Sequence, residues 1–439
     1  MINYLFLVLL FMGLVFLCFL PALIEYLRPK DDKPLAINLS MELDERYFAH
    51  SFRGILEPAF SGVEKDLVLK DEQKPGWLQK FPVLKTHLMM HRDKEEIWLA
   101  EGDIKVPAGS KFDRILIVNG NFSTEENCSF EKELFVKGDS FIGQNNVLQC
   151  ISATGKLKLE ENVLVRGWID ADEDVYISKG CKIKSRAASG KIIWIAKESQ
   201  LSRLAGEEFV VGGDGMVKTK SKVKEIVLPI IRWTKEMDAI IKENFKSKNL
   251  FEIKELFKEK FNEDIPEMLF FRRARVLNFI EPLVKMNEKQ KPGFLKDNKV
   301  WMQGGESVLV KGNVTISEGE NVPYNIIIKG KLTSQADVVF QGGLHATKDV
   351  FLGDRNHVVG SVVSDDKVVL GMDTVIENCV DAEKDIFIRK GVTIGSEKRG
   401  GGLAAGGKIY LQEGVSGRYK VYAENGIQPV ESIDEILSK

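Results

Sequence analysis

Residues 169–183 read IDADEDVYISKGCKI, and residues 380–394 repeat this stretch as VDAEKDIFIRKGVTI. Asp170 of the first stretch falls on Asp381 of the second. The match extends outward through glycines and apolar residues that keep nearly the same spacing: Leu99, Gly102, Gly120, Leu134, Phe141 and Gly143 against Leu309, Gly312, Gly330, Leu344, Phe351 and Gly353. One long module is therefore predicted to occur twice in the chain.

A shorter period runs inside each copy. Glycines recur about every eighteen residues, and short bursts of β-branched and aromatic residues with period-two alternation lie between them. Short strands of constant spacing, separated by Gly, Asn, Asp and Lys, are typical of a β-solenoid, whose turns stack to share one core. A β-sandwich also uses many short strands, but it does not require a constant turn length. The fold class predicted is mainly β, with two duplicated β-solenoid modules, a helical insert and an N-terminal transmembrane helix.

Composition limits the remaining possibilities. The 439 residues are 44% hydrophobic and the net charge is −2, which describes a globular chain with no general affinity for nucleic acid. The chain has five cysteines, which form no CxxC pair: Cys18, Cys128, Cys150, Cys181 and Cys379. Three of them, Cys128, Cys181 and Cys379, match apolar residues in the other copy. We expect small buried side chains in a reducing compartment and no disulfide framework.

Residues 1–24 are almost entirely apolar and long enough to cross a bilayer as a helix. A cleaved signal peptide is the alternative, but no Lys or Arg precedes the apolar run. Arg28, Lys30 and Lys33 follow it, so the positive-inside rule places the rest of the chain in the cytoplasm. We therefore expect a single-pass protein of the bacterial inner membrane that contacts the lipid bilayer through residues 1–24.

The remaining chain divides by composition. We predict a mixed helical and loop lead-in at 25–95, a first solenoid at 96–219, a helical insert at 220–295, a second solenoid at 296–428 and a tail at 429–439. The insert shows helical spacing of apolar residues that predicts three helices, with a basic spot at Arg272, Arg273 and Arg275. Lys-Pro-Gly occurs before each solenoid, at residues 74–76 and 291–293, and is interpreted as a hinge or cap.

Two motifs suggest ligand chemistry and are set aside. Asp170, Asp172 and Asp174 alternate as in a calcium loop, but the Gly and Glu that an EF-hand requires at its sixth and twelfth positions are missing. These aspartates are interpreted as a solvated turn edge. The GLAAGGK at residues 402–408 resembles a phosphate-binding loop, but Ile409 stands where Ser or Thr is needed and a strand follows instead of a helix.

Histidines offer the remaining catalytic hypothesis. His87 and His91 are four residues apart without the HExxH glutamate. Left-handed β-helix acyltransferases use a histidine at a subunit seam, which leaves His345 and His357 as the candidates within a solenoid. Their counterparts in the first copy are Phe135 and Val147, which does not indicate a retained site. We therefore assign no catalytic, cofactor-binding or metal-binding residues, and we expect no cofactor and no nucleotide.

The solenoid segments resemble the bactofilins, the polymer-forming cytoskeletal proteins of bacteria. The resemblance rests on residues 165–171 (VRGWIDA) followed by residues 175–177 (VYI), and the pattern recurs at 375–388. It implies a β-helix that stacks end to end into filaments without nucleotide, in some members with an N-terminal membrane segment. This chain differs in having two solenoid blocks and a helical insert.

Three functions follow as hypotheses. The first is a membrane-anchored, non-enzymatic scaffold that self-associates or recruits envelope and cell-shape proteins, because unpaired strands at solenoid ends must be capped or used for assembly. The second is a binding module whose solenoid flank recognises an envelope glycan or protein. The third is a β-helix acyltransferase-like enzyme, which would need His345 or His357 beside a pocket at a subunit seam.

Overall fold

The chain was analysed as a computed structural model, which describes residues 46–61, 68–90, 93–212, 234–244, 256, 259–261, 284–286, 291–303 and 307–438. It divides into the units Met1–Tyr47 and Phe48–Lys439, and the described residues lie almost wholly in the second. The predicted transmembrane helix, residues 1–24, lies outside them. Within them, no helix combines the length and apolarity needed to cross a membrane.

The described residues are mainly β and form a β-solenoid of about 15 turns, as the period of about eighteen residues predicts. The first strands are β1 (Val83–Met90), β2 (Asp93–Glu101), β3 (Ile104–Val106), β4 (Lys111–Phe112), β5 (Ile115–Asn119), β6 (Phe122–Thr124), β7 (Ser129–Val136), β8 (Ser140–Ile142), β9 (Val147–Ala153), β10 (Leu157–Leu159), β11 (Leu164–Val165), β12 (Ile169–Ala171), β13 (Val175–Ile177), β14 (Lys182–Ile183), β15 (Arg186–Ser189), β16 (Ile192–Ile195) and β17 (Leu201–Val211). We refer to β2–β17 as the first run.

The later strands are β18 (Val284–Lys285), β19 (Lys299–Gln303), β20 (Ser307–Lys311), β21 (Val314–Ile316), β22 (Asn321–Val322), β23 (Asn325–Lys329), β24 (Leu332–Ser334), β25 (Val339–Phe340), β26 (Leu344–Ala346), β27 (Val350–Leu352), β28 (His357–Val358), β29 (Val362–Ser364), β30 (Val368–Leu370), β31 (Val375–Ile376), β32 (Cys379–Ala382), β33 (Ile386–Ile388), β34 (Thr393–Ile394), β35 (Gly402–Ala405), β36 (Ile409–Leu411) and β37 (Ser416–Pro429). We refer to β20–β37 as the second run.

Helices are few among the described residues. They are α1 (Tyr47–Ser61), α2 (Lys235–Asn244) and the short α3 (Asp434–Leu437), with 3-10 turns at Asp71–Gln73, Gly76–Leu78 and Gly293–Leu295. Helix α2 lies in the predicted helical insert, and it buries Met237, Ile240 and Ile241 at helical spacing. Most of the remaining three-helix prediction, including Arg272, Arg273 and Arg275, falls outside the described residues.

Each turn contributes strands to three parallel columns. Column A of the first run is β2, β5, β7, β9, β12, β15 and β17, and column B is β3, β6, β8, β10, β13, β16 and β17. In the second run, column A is β20, β23, β26, β29, β32, β35 and β37, and column B is β21, β24, β27, β30, β33, β36 and β37. The third column, C, contains the two-residue strands such as β11 and β14, which pair in parallel.

Alternation along each strand separates core from surface. In β12, Ile169 and Ala171 point into the core, whereas Asp170 points outward, as successive residues of a strand must. The inward residues of both runs belong to one continuous hydrophobic cluster. Turn corners use residues that tolerate a left-handed backbone, such as Asn145 at φ 57° and Asn162 at φ 60°.

Buried asparagines lock some of these corners. In the first run, Asn146 donates to Thr124 Oγ1 and to the Glu125 carbonyl, while its own carbonyl accepts from the Cys128 amide at 2.5 Å. In the second run, Asn356 donates to Ser334 Oγ and accepts from the Val338 amide at 2.7 Å. Each amide thereby satisfies backbone groups that a buried corner would otherwise leave unpaired.

The two runs meet at their last turns. Strand β17 pairs in parallel with β15 and β16 on one side and antiparallel with β37 on the other, and β37 in turn continues the parallel columns of the second run. The antiparallel register places Leu204 opposite Val421 and Phe209 opposite Gly417. Both runs therefore belong to one sheet whose strand direction reverses between β17 and β37.

The first turn of each run is also closed by antiparallel strands. Strand β1 pairs antiparallel with β2, and β19 pairs antiparallel with β20. The Lys-Pro-Gly segments lead into the adjoining 3-10 turns, whose leucines, Leu78 and Leu295, are completely buried. These segments thus act as caps, the second of the two interpretations offered by the sequence.

Candidate interaction surfaces

Helix α1 lies on column A of the first run. Its apolar residues Ala49, Phe52 and Leu56 follow helical spacing and are buried. Phe52 and Leu56 form one hydrophobic cluster with outward side chains of column A in the first run, namely Ile97, Ile115, Ile117 and Phe135. Phe52 also makes a T-shaped contact with Trp168, with ring centroids 5.9 Å apart. The face of the first run is therefore covered by the helix that precedes it in the chain.

Arg53 fixes this helix to the solenoid. Its Nη2 lies 2.9 Å from Asp170 Oδ2 and its Nη1 lies 2.7 Å from Asp172 Oδ1. Its Nε donates to Ser152 Oγ at 2.8 Å, and Nη2 also donates to the Ala153 carbonyl at 2.8 Å. A planar guanidinium suits this arrangement because it presents several donors in fixed directions. Asp170 is only 1% exposed, so Arg53 supplies the charge that makes its burial tolerable.

The interpretation of the three aspartates as a solvated turn edge is wrong for Asp170. That residue is buried against α1, and its environment depends on a residue more than a hundred positions earlier. Asp174 has a separate role, since it accepts hydrogen bonds from the Ile192 amide and from the Tyr176 hydroxyl, both at 3.3 Å. Within the described residues, no three His, Cys, Asp or Glu side chains are grouped so that they could hold a metal ion.

Column A of the second run presents a similar series of side chains that is more exposed. Its outward residues stand in lateral register from strand to strand: Leu309, Ile327, His345, Val363 and Asp381. The series in the first run is Leu99, Ile117, Phe135, Ser152 and Asp170. Ile327 is 39% exposed, whereas Ile117 is 2% exposed. We call this second series the open face.

For column B, the second run is the covered one and the first run is the more exposed one. In the second run, α3 and the residues before it cover Val369 and Phe387, which form a small cluster with Ile433. In the first run, the outward residues Phe141, Lys158, Tyr176 and Trp194 line or adjoin a shallow depression of about 470 Å³. Phe141 is 41% exposed, and the rings of Tyr176 and Trp194 stack with centroids 6.4 Å apart. These aromatic residues stand at equivalent outward positions of successive turns, which is a signal that the sequence carries only at the period of the solenoid.

The two candidate histidines each pair with a carboxylate. His345 Nε2 lies 2.9 Å from Asp365 Oδ1 on the open face, and His357 Nε2 lies 2.9 Å from Glu377 Oε1. Glu377 is also within 3.5 Å of Arg399 Nε. Histidine-carboxylate pairs occur both in catalytic sites and in ordinary surface networks, so the pairing alone does not assign a catalytic role.

The GLAAGGK segment is a strand followed by a turn into another strand. Gly402–Ala405 forms β35, and the Lys408 amide donates to Asp385 Oδ1 at 2.7 Å before β36 begins at Ile409. A phosphate cradle needs backbone amides at the start of a helix, and here the chain enters a strand. The segment therefore has a structural role in closing the turn.

The described cysteines are free, and Cys128, Cys150 and Cys181 are buried, as the sequence predicts. Burial raises the pKa of Cys150 to about 11, and it raises the pKa of Cys181 to about 11 as well. A thiol with a raised pKa holds its proton and is a poor nucleophile at neutral pH. These residues thus pack as small apolar side chains.

None of the protein-family models, curated proteins or solved structures compared with this chain matches it.

Proposed function

We propose that this chain is a membrane-anchored, non-enzymatic scaffold of the bactofilin type, which self-associates or recruits envelope and cell-shape proteins. The observation that supports it is the junction of β17 with β37, where solenoid ends join through strand pairing inside one chain. The last turns of the two runs join through the backbone groups of their edge strands, and the same kind of strand pairing can join separate chains into larger structures. In this proposal, residues 1–24 anchor the chain in the bacterial inner membrane, and the remainder lies in the cytoplasm.

The scaffold proposal includes a duplication, in which both runs are copies of one module. Matching features at equivalent places support it. The Asn146 and Asn356 networks use equivalent partners, and a Lys-Pro-Gly cap precedes each run. Duplication followed by pairing of the last turns would give a single chain with the geometry of two modules joined through like ends.

The test of self-association is negative-stain microscopy of purified residues 33–439, combined with sedimentation at several protein concentrations. We expect filaments or sheets that form without nucleotide, and a sedimentation coefficient that rises with concentration. A species that remains monomeric at every concentration would overturn self-association. Carbonate extraction of membranes from cells expressing the full chain tests the anchor, with residues 33–439 as the control that should be released.

A second candidate is a binding module whose solenoid flank recognises an envelope glycan. The observation that favours it is the exposed surface of Phe141 and Tyr176 in column B of the first run. Aromatic rings on a flat β-surface can stack on sugar rings, and Lys158 beside Phe141 would favour an anionic glycan. Sedimentation of residues 33–439 with purified peptidoglycan tests it, and loss of binding in Phe141→Ala would support this alternative.

A further inference from the structure

The open face carries an acidic pocket at one end. The pocket has a volume of about 260 Å³ and is lined by four carboxylates, Asp365, Asp381, Glu383 and Glu424. Asp381 and Glu383 are both exposed. The apolar members of the face, Leu309, Ile327 and Val363, continue from the pocket along column A. Asp365 contacts His345, which lies between Val363 and Ile327, and none of the described residues that line the pocket is a Lys or an Arg. Carboxylates beside exposed apolar side chains favour a ligand that is both cationic and apolar.

The first run shows which kind of group fits such a surface. There, Arg53 joins Asp170 and Asp172, and the apolar residues on either side of it in α1 pack on Ile117 and Phe135. The open face offers Asp381 and Glu383 at the corresponding outward positions of β32 and the turn that follows it. The two carboxylates two residues apart recur on the open face, and so do the apolar positions of Leu99 and Ile117, as Leu309 and Ile327. His345 stands where the first run has Phe135, so the apolar part of the open face is smaller than the surface under α1.

We propose that the open face binds an amphipathic helix supplied by a partner protein. An arginine of that helix enters the pocket between Asp381 and Glu383, and its apolar residues about one turn away pack on Ile327 and Leu309. The inference rests on the proposed scaffold function, to which it adds a class of partner. A helix of this kind gains a charge-assisted hydrogen-bond network and apolar burial together, which gives both specificity and affinity.

The probe is a fluorescein-labelled peptide with the sequence of residues 46–61, which contains the residues that fit the equivalent surface of the first run. Fluorescence anisotropy with the full chain should show saturable binding of one peptide per chain. We expect Asp381→Lys to weaken binding at least about tenfold, because it reverses a charge in the pocket. Ile327→Asp should weaken it similarly, and so should replacement of the peptide's arginine by glutamate.

The control variant is Phe141→Asp, which changes an equally exposed apolar residue in column B and should leave peptide binding unchanged. Absence of binding, or binding that ignores Asp381→Lys and Ile327→Asp, would overturn the proposal. Binding that responds to Asp170→Asn instead would mean that the peptide displaces α1 on the first run, which also overturns it. The assay reads binding to one chain, so a negative microscopy result does not affect it.

A second measurement decides whether the chain covers this face itself. Residues 262–283 precede Val284 in the sequence and contain Arg272, Arg273 and Arg275. The photoreactive variant Ile327→p-benzoylphenylalanine, irradiated in the purified full chain, should give no cross-link within the chain and a cross-link to the added peptide. A cross-link to residues 262–283, or to a second copy of the chain, would overturn the assignment to a partner protein.

Discussion

Arg53 and Asp170 show how a single contact determines the placement of a whole helix. Asp170 is buried in the outer surface of column A, and its carboxylate would be costly to bury without the guanidinium that reaches it. The charge is shared with Asp172, which remains partly exposed to solvent. The position of α1 is therefore set by a buried polar contact as well as by Phe52 and Leu56.

Arg53→Ala should release α1 from the first run, because it removes the guanidinium that neutralises the buried Asp170 carboxylate. We expect a loss of about 3 kcal/mol in the local free energy of unfolding of the helix, measured by native-state hydrogen exchange. The matched control is Arg355→Ala, which breaks an exposed bidentate pair with Asp337 and should cost at most about 1 kcal/mol. Equal effects of the two variants would contradict the role given to Arg53.

The buried thiols predict a loss of stability at alkaline pH. The folded-state pKa of Cys150 and that of Cys181 are raised by burial from 9.0 to about 11, so the unfolded chain loses these protons first as the pH increases. Their stabilising contribution is therefore complete below about pH 9 and declines between pH 9 and 11. We expect the free energy of unfolding, measured by urea denaturation, to fall by on the order of 1 kcal/mol per thiol by pH 10.

The control for this pH dependence is the double variant Cys150→Ala, Cys181→Ala. Its baseline stability will be lower because two buried side chains are shortened, but its decline between pH 8 and 10 should be smaller than that of the natural sequence. A parallel decline in both proteins would show that other groups, such as lysines and tyrosines, account for the whole pH dependence.

Among the elements, the pairing of β17 with β37 carries the contact between the two runs. Gly417 lies opposite Phe209 in the register, and a Cβ on Gly417 would lie 2.4 Å from the Phe209 ring. The ring occupies the space that a side chain would need, so the junction depends on a residue without one.

Gly417→Val should therefore weaken the junction, because it forces the Phe209 ring out of the core. We expect a destabilisation of about 1–3 kcal/mol, with faster amide exchange confined to β17, β37 and the strands beside them. Gly76→Val is the control, since a Cβ at Gly76 meets no neighbouring atom within 4 Å. Protection of β17 and β37 that is unchanged in Gly417→Val would contradict this account of the junction.

The solenoid itself could be predicted from sequence because its signal is local and repeated. Each turn supplies the same alternation of inward and outward residues, and many turns together outweigh the ambiguity of any one. The docking of α1 could not be predicted, because Asp170 has the sequence environment of a solvated turn and the arginine that contacts it comes from a distant segment. The junction could not be predicted either, since the alternation within β17 carries no information about which strand will pair with its free edge.

At the scale of the whole molecule, the unit Phe48–Lys439 combines one continuous core with surfaces of different character. Column A is covered by α1 in the first run and exposed at Ile327 in the second, whereas column B is exposed in the first run and covered near α3 in the second. The unequal covering gives each run a different free surface. The chain therefore presents two chemically distinct surfaces from one fold.

The antiparallel pairing of β17 with β37 also determines the directions in which the two runs proceed. Because each run proceeds from its first turn toward this junction, the sheet has a first turn at both of its extremities and a last turn at neither. From either extremity, the turns therefore run in chain order from first to last until they reach the junction. A row of chains joined through these extremities would therefore bring first turns together, each closed by its antiparallel strand, β1 or β19.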